Sequence, residues 1–145
     1  MILFKQITRE NFDECLFLDV TEAQEDFVAS TMYSLAEAKI FTENQPFAIY
    51  DEEQMVGFIM YSLDPYDNQY WVTRLLIDQK FQKNGYGTLA MQEMLKLIKT
   101  DFNPNSVFTS IEPENKVAEK LYLELGFVHT GRIIDDDELV LEYIY

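Results

Sequence analysis

The sequence predicts an α/β fold: one domain on a mixed, mostly antiparallel sheet, with a central parallel strand pair and helices on both faces. Three observations predict it. Apolar residues switch between strand and helix spacing along the chain, in the order β-α-α-β-β-β-α-β-α-β-β. The middle of the chain runs strand, glycine-containing turn, helix, strand, which implies a right-handed parallel crossover. The 145 residues, 48 % hydrophobic and 14 % aromatic, suit one packed core and exclude a disordered chain.

The elements follow in order. Ile2, Phe4 and Ile7 mark a first strand over residues 2–8. Thr8 or Asn11 caps a helix carrying Phe12, Cys15, Leu16 and Leu18. Residues 21–26 form an acidic loop. Ser34 is the predicted N-cap of a second helix running through Leu35, Ala36, Ala38 and Phe41. A hairpin pairs residues 47–50 with 55–63 around Asp51-Glu52-Glu53-Gln54. Turn chemistry at 64–68 precedes a strand from Tyr70 to Ile77 rich in aromatic and branched residues. A helix over 89–99 ends before Asn103-Pro104-Asn105, and a strand follows from Ser106 to Ile111. Lys116 to Leu125 places Val117, Ala118, Leu121, Tyr122 and Leu125 on one helical face, closed by Gly126. Residues 127–133 and 139–145 complete a strand pair around Asp135-Asp136-Asp137-Glu138.

Composition narrows the function. The formal net charge of −15 argues against nucleic acid and anionic membranes as partners. No apolar run approaches the ~20 residues of a membrane helix, and the first residues lack a signal peptide's features, so a cytoplasmic protein is expected. A single cysteine excludes an internal disulfide, and Cys15 reads as a small buried hydrophobe. His129, the one histidine, reads as structural, and no metal-ligand set is evident. The charge is uneven: residues 1–72 carry 14 acids and 3 bases, residues 73–145 carry 12 acids and 8 bases. The acidic half suits a cationic small molecule.

The chemistry concentrates in two stretches. Gln82-Lys83-Asn84-Gly85-Tyr86-Gly87-Thr88 lies between a strand and a helix. Two glycines there let a backbone approach a ligand, and free amides at a helix start favour an anion such as phosphate. The spacing lacks the Lys-Ser/Thr of a P-loop and the third glycine of a dinucleotide fingerprint. It resembles the Gln/Arg-x-x-Gly-x-Gly/Ala signature of GNAT-type N-acetyltransferases. The second stretch, Asn115-Lys116-Val117-Ala118-Glu119-Lys120-Leu121-Tyr122-Leu123-Glu124-Leu125-Gly126-Phe127, is similar to that family's Asn, Ala, Tyr, Leu-Gly-Phe block. Together with the element order, the resemblance covers nearly the whole chain, which is read as a single N-acetyltransferase domain, 1–145.

The resemblance implies a site. The parallel strands ending at Ile77 and Ile111 splay apart. The backbone of Leu75, Leu76 and Ile77 pairs with the pantetheine arm of acetyl-coenzyme A, the co-substrate. The amides of Lys83 to Thr88 hold its pyrophosphate, with Asn84 and Tyr86 inside that turn. Asn115 contacts the arm from the other side. Lys83, Lys116 and Lys120 are candidate partners of the outer phosphates. Tyr122 is the general acid for the leaving thiolate, and a backbone N–H at Leu76 or Ile77 holds the oxyanion. The base stays open among Glu112, Asp64, Glu25, Asp26 and a water chain. Arg74 stands on the strand where some members place a glutamate.

The implied reaction is acetyl transfer to a primary amine, with polyamines leading. Phe27-Val28-Ala29, followed by Tyr33-Ser34-Leu35-Ala36-Glu37-Ala38, resembles the corresponding segment of bacterial spermine/spermidine acetyltransferases. Glu25, Asp26 and Asp64, with Glu112, are expected to hold distal ammonium groups, and Phe27, Tyr33 and Trp71 to cover methylenes. Acetylation of a protein N-terminus or of an amino-sugar drug is the alternative enzyme reading. A non-catalytic acyl-CoA-binding module is the alternative of another class. The sequence leaves the oligomeric state open, a homodimer included.

Overall fold

The computed structural model describes residues 1–145. Seven strands form one sheet: β1 (Ile2–Lys5), β2 (Asn44–Asp51), β3 (Gln54–Leu63), β4 (Tyr70–Ile77), β5 (Ser106–Ile111), β6 (Val128–Ile134) and β7 (Glu138–Ile144). Their order across the sheet is β1-β2-β3-β4-β5-β7-β6. Only β4 and β5 run parallel; every other neighbouring pair is antiparallel. Four helices, α1 (Phe12–Leu16), α2 (Thr31–Ile40), α3 (Tyr86–Phe102) and α4 (Lys116–Leu125), cover the sheet. The predicted element order and fold class stand.

The sheet is buried on both faces, so β3 reads as a continuous apolar run rather than an alternation. Ile59 and Tyr61 point to the face covered by α3 and α4, where Met91, Met94, Ile98 and Phe127 fill the larger core. Phe58 and Met60 point to the opposite face, against Cys15 of α1 and Leu35 and Ala38 of α2. Each large side chain so buried contributes about 1.5–3 kcal/mol before entropy is charged against it.

Several boundaries differ from expectation. The N-cap of α2 is Ser30, whose hydroxyl accepts from the Tyr33 N–H (3.1 Å). Ser34 lies inside that helix, buried, its hydroxyl donating to the Ser30 carbonyl (2.9 Å). A hydroxyl that bonds back to the preceding turn is satisfied in mid-helix, so the same residue type fits both positions. The first strand stops at Lys5, and α3 begins at Tyr86, inside the glycine turn.

One irregularity shapes the centre of the sheet. Met60 pairs with Arg74 and Tyr61 with Val72, so Thr73 is an extra residue in β4. A bulge bends its strand and adds local twist. Beyond it β4 leaves β5: their parallel pairing is confined to Tyr70–Val107 and Trp71–Phe108. The remainder of both strands flanks an open gap.

The bulge also reverses the alternation of β4. Val72 belongs to the core under α3 and α4, whereas Leu76, four residues on, belongs to the opposite core. Leu76 pairs with Phe58, and two residues further the Asp78 N–H donates to the Val56 carbonyl (2.9 Å). A Cβ at Gly57 would fall on the Leu76 carbonyl oxygen. The polar backbone groups of Leu76 are thus turned to β3, and those of Leu75 and Ile77 toward the gap.

Candidate active site

Two adjoining clefts occupy the gap. The first, about 380 Å³ and mostly apolar, runs between the end of β4, the turn from Gln82 to Thr88 and α4, over Val117, Leu121 and Tyr122. The second, about 580 Å³ and more polar, lies between β4, β5, the segment before α2 and the β6–β7 hairpin. Leu75, Asn115, Ala118 and Tyr122 line both clefts, as do Phe27 and Val28. Tyr122 therefore stands where the two meet.

The turn is built by its own hydrogen bonds. Buried Asp78 accepts from the Lys80 N–H (2.9 Å) and the Asp19 N–H (3.2 Å). The Gln82 amide donates to the Ile77 carbonyl (2.9 Å), and that of Asn84 to the Phe81 and Gln82 carbonyls (3.0 and 3.2 Å). Lys83 and Gly85 both adopt left-handed backbone, with φ of 67° and 82°. Gly85 is the N-cap of α3 and has no side chain to offer, and the first turn of α3 holds no acid. The leading amides of that helix thus lack a capping side chain and meet the positive end of its dipole. A diphosphate fits such a position. The Tyr86 hydroxyl donates to Asp51 (2.6 Å), which pins the start of α3 to the β2–β3 turn.

Tyr122 is buried on α4 and packs on Phe127, ring centroids 5.4 Å apart. Burial pushes its phenol up to about 12, with nearby Thr109 pulling slightly the other way. The Thr109 hydroxyl donates to the Val72 carbonyl (2.9 Å), tying β5 to β4 just past their last backbone pair. Asn115 caps α4, its side-chain oxygen accepting from the Ala118 N–H (3.3 Å).

The polar cleft is acidic. Glu25, Asp26, Asp64, Glu112, Asp135 and Glu138 line it, against one cation, Arg74. Arg74 bonds Glu37 on α2 (3.3 Å) and the Thr73 carbonyl (2.8 Å). The Glu112 carboxyl is raised above the ordinary range by lost hydration, then by Asp137 and Glu138. Glu138 is raised as well, by burial first. Trp71 borders this cleft, its indole N–H donating to Asp67 (3.0 Å).

Some expected residues stand elsewhere. Tyr33 is exposed on α2 and borders neither cleft; the helix starts four residues earlier than predicted and includes it. Lys120 is outside both clefts, its ammonium 4.0 Å from Glu124 one helical turn on. Lys116 likewise sits beside Glu119 (3.6 Å). The Asn84 side chain closes the turn rather than facing the cleft. Leu76 cannot offer its N–H to the gap, since the bulge turns it to β3. Asp135 and Glu138 were missed as lining residues. They reach the cleft because β7 inserts between β5 and β6, a pairing that no local pattern announces.

Residues 5–127 match the model of the acetyltransferase (GNAT) family. The chain is 30 % identical over 146 residues to the spermine/spermidine N(1)-acetyltransferase of Bacillus subtilis, covering 97 % of this chain and 96 % of that protein. It is 32 % identical over 111 residues to human N-alpha-acetyltransferase 30, covering 72 % of this chain and 30 % of that protein. In fold it is similar to the Vibrio cholerae spermidine N-acetyltransferase solved with CoA and spermine, with a TM-score of 0.79, 15 % identity, and coverage of 99 % and 95 % of the two chains. The chain belongs to the GNAT acetyltransferase family. It is an enzyme of that class, with acetyl-coenzyme A as acyl donor.

Proposed function

We propose that this acetyltransferase acetylates a primary amine of a polyamine, spermidine or spermine. The observation that carries the reading is the junction at Tyr122. There an apolar cleft beside a phosphate-type turn opens into a cleft with six carboxylates and one guanidinium. A polycation with an apolar chain fits the second cleft as acetyl-coenzyme A fits the first. The relationship to the B. subtilis enzyme supports the same substrate class.

When bound, acetyl-coenzyme A supplies the thioester. The amides from Lys83 to Thr88 hold the diphosphate, and the gap-facing backbone of Leu75 and Ile77 orients the pantetheine arm. At Ile77 the N–H is the free group, and the carbonyl already accepts one bond from Gln82. Leu75, at the junction, presents its N–H to the carbonyl oxygen as that oxygen gains charge. Glu112, with its raised pKa, takes the proton that the amine must lose before its nitrogen can attack. Tyr122 donates a hydrogen bond to the departing sulfur as it gains charge. The other carboxylates hold the distal ammonium groups.

The same reading makes residues 1–145 one acetyltransferase domain acting in the cytoplasm, with a homodimer the assembly that sedimentation would check. No helix is long and apolar enough to cross a membrane. An amine panel read by thiol release tests the substrate. Spermidine and spermine are expected to exceed a monoamine of equal length in kcat/KM by at least ten-fold. Equal values would overturn the polycation reading. A peptide N-terminus preferred over both would favour the chemistry named for the human relative.

A further inference from the structure

One wall of the amine cleft, residues 25–28, belongs to no helix or strand. Its anchors lie on the cofactor turn. Upstream, the Gln79 N–H donates to the Asp19 carbonyl (2.7 Å), and the Asp19 N–H to the Asp78 carboxylate (3.2 Å). A single 3₁₀ turn over Glu22–Gln24 follows, held by Thr21 and Gln24 bonding each other's backbone. Gln24 then joins Gln82 side chain to side chain. Gln82 Nε2 donates to Gln24 Oε1 (2.8 Å), and Gln24 Nε2 donates back to Gln82 Oε1 (3.3 Å). Gln82 Nε2 also holds the Ile77 carbonyl (2.9 Å). One amide thus ties together the end of β4, the phosphate turn and the last residue before Glu25.

We propose that Gln24 is a positioning residue that couples the two substrates: through Gln82 it makes the order of the amine wall, Glu25 to Val28, depend on occupancy of the cofactor turn. A turn held by a diphosphate fixes Gln82. A fixed Gln82 fixes Gln24, and the carboxylates of Glu25 and Asp26 are then presented at lower entropic cost. Coupling of this kind is reciprocal, so a bound amine also tightens the coenzyme. The inference rests on the amine-site assignment above, but not on which amine is used.

Hydrogen exchange on the whole protein tests it without an amine. Saturating CoA should slow exchange both in peptides covering 83–88 and in those covering 22–29. In Gln24→Met, which keeps side-chain length but loses both bonds to Gln82 and the acceptor of the Thr21 N–H, CoA-dependent protection should persist at 83–88 and vanish at 22–29, whereas Thr21→Pro, which removes that N–H, should leave the CoA dependence at 22–29 in place. Gln24→Glu, which keeps the acceptor half of the pair, should recover part of it. With saturating acetyl-CoA and whichever amine turns over, Gln24→Met should raise the amine KM about five-fold, with kcat changing less, as expected for lost amide bonds. Wild-type protein whose 22–29 exchange ignores CoA would overturn the proposal. So would Gln24→Met retaining that protection, since Phe27 and Val28 would then be ordered by direct contact. Loss of polyamine turnover with the exchange pattern intact would instead count against the substrate reading alone.

Discussion

Replacing Tyr122 by phenylalanine removes one oxygen and little else. The ring keeps its packing on Phe127, and the Thr109 hydroxyl keeps its bond to the Val72 carbonyl. Stability should therefore change little. The effect on chemistry follows from the phenol's pKa of about 12. A simple thiol has a pKa of about 8.5, so complete transfer from Tyr122 to the thiolate is uphill by roughly 5 kcal/mol. The hydroxyl thus serves mainly as a hydrogen-bond donor to developing charge, worth ~1.5–3 kcal/mol. That corresponds to a loss of about ten- to a hundred-fold in turnover, at or below the ~10²-fold lower end of the range for general acids. Single-turnover acetylation read by thiol release would measure it, with CoA binding followed calorimetrically and expected to be unchanged. The loss should shrink for an acyl donor with a more acidic thiol. With a pKa this high, Tyr122 should add no alkaline limb to kcat below about pH 10. Wild-type single-turnover rates in Tyr122→Phe would refute the assignment.

Three further outcomes are expected. Gly85→Ala forces φ of 82° on a residue with a Cβ, which meets nothing in the protein within 4 Å. Stability should fall by about 1–2 kcal/mol and Tm by ~2–8 °C, while calorimetry shows acetyl-CoA affinity falling at least ten-fold as the Cβ crowds the diphosphate. Gly87→Ala meets the movable end of Leu121 at 3.1 Å and should cost affinity less. Exposed ion pairs contribute only ~0.2–1 kcal/mol each and are screened by salt, so kcat/KM for spermidine should fall as ionic strength rises, less steeply in Glu25→Gln/Asp26→Asn. A salt response identical in that variant would remove these two acids from the site. Finally, raised folded-state pKa values at Glu112 and Glu138 mean that the native state binds more protons than the unfolded chain between the ordinary value and the raised ones. Thermal stability should therefore rise as pH falls from neutrality into that window. The slope should be smaller in Glu112→Gln/Glu138→Gln, and thermal melts that are flat with pH in the wild type would contradict it.

The fold was legible because period and order were enough. The apolar face of α4, with Tyr122, and the crossover through the glycine turn each follow from local spacing. The glycine turn at the start of α3 was legible as a turn for the same reason: its residues are contiguous. What stayed hidden depended on where strands meet. Choosing between Leu76 and Ile77 for the oxyanion needed the parity of β4, which the single extra residue at Thr73 shifts. Asp135 and Glu138 reach the site through the β5–β7 pairing, more than twenty residues distant in sequence. Tyr33 failed through a helix boundary: Ser30 and Ser34 are both competent caps by composition, and in the fold Ser34 is buried inside the helix while Ser30 caps it.

Thr73 also implies a test of how little separates this sheet from a closed one. Deleting that residue would restore the two-residue rhythm of β4. Arg74 would then follow Val72 directly, Leu75 and Leu76 would keep their faces and their partners on β3, and the bend and extra twist at the bulge would go. β4 and β5 could then zip together past Trp71 and Phe108, and the sheet would complete itself with its own chain. The open seam between these strands is thus a missing rung, kept vacant by one residue of surplus length and left for a second molecule to supply.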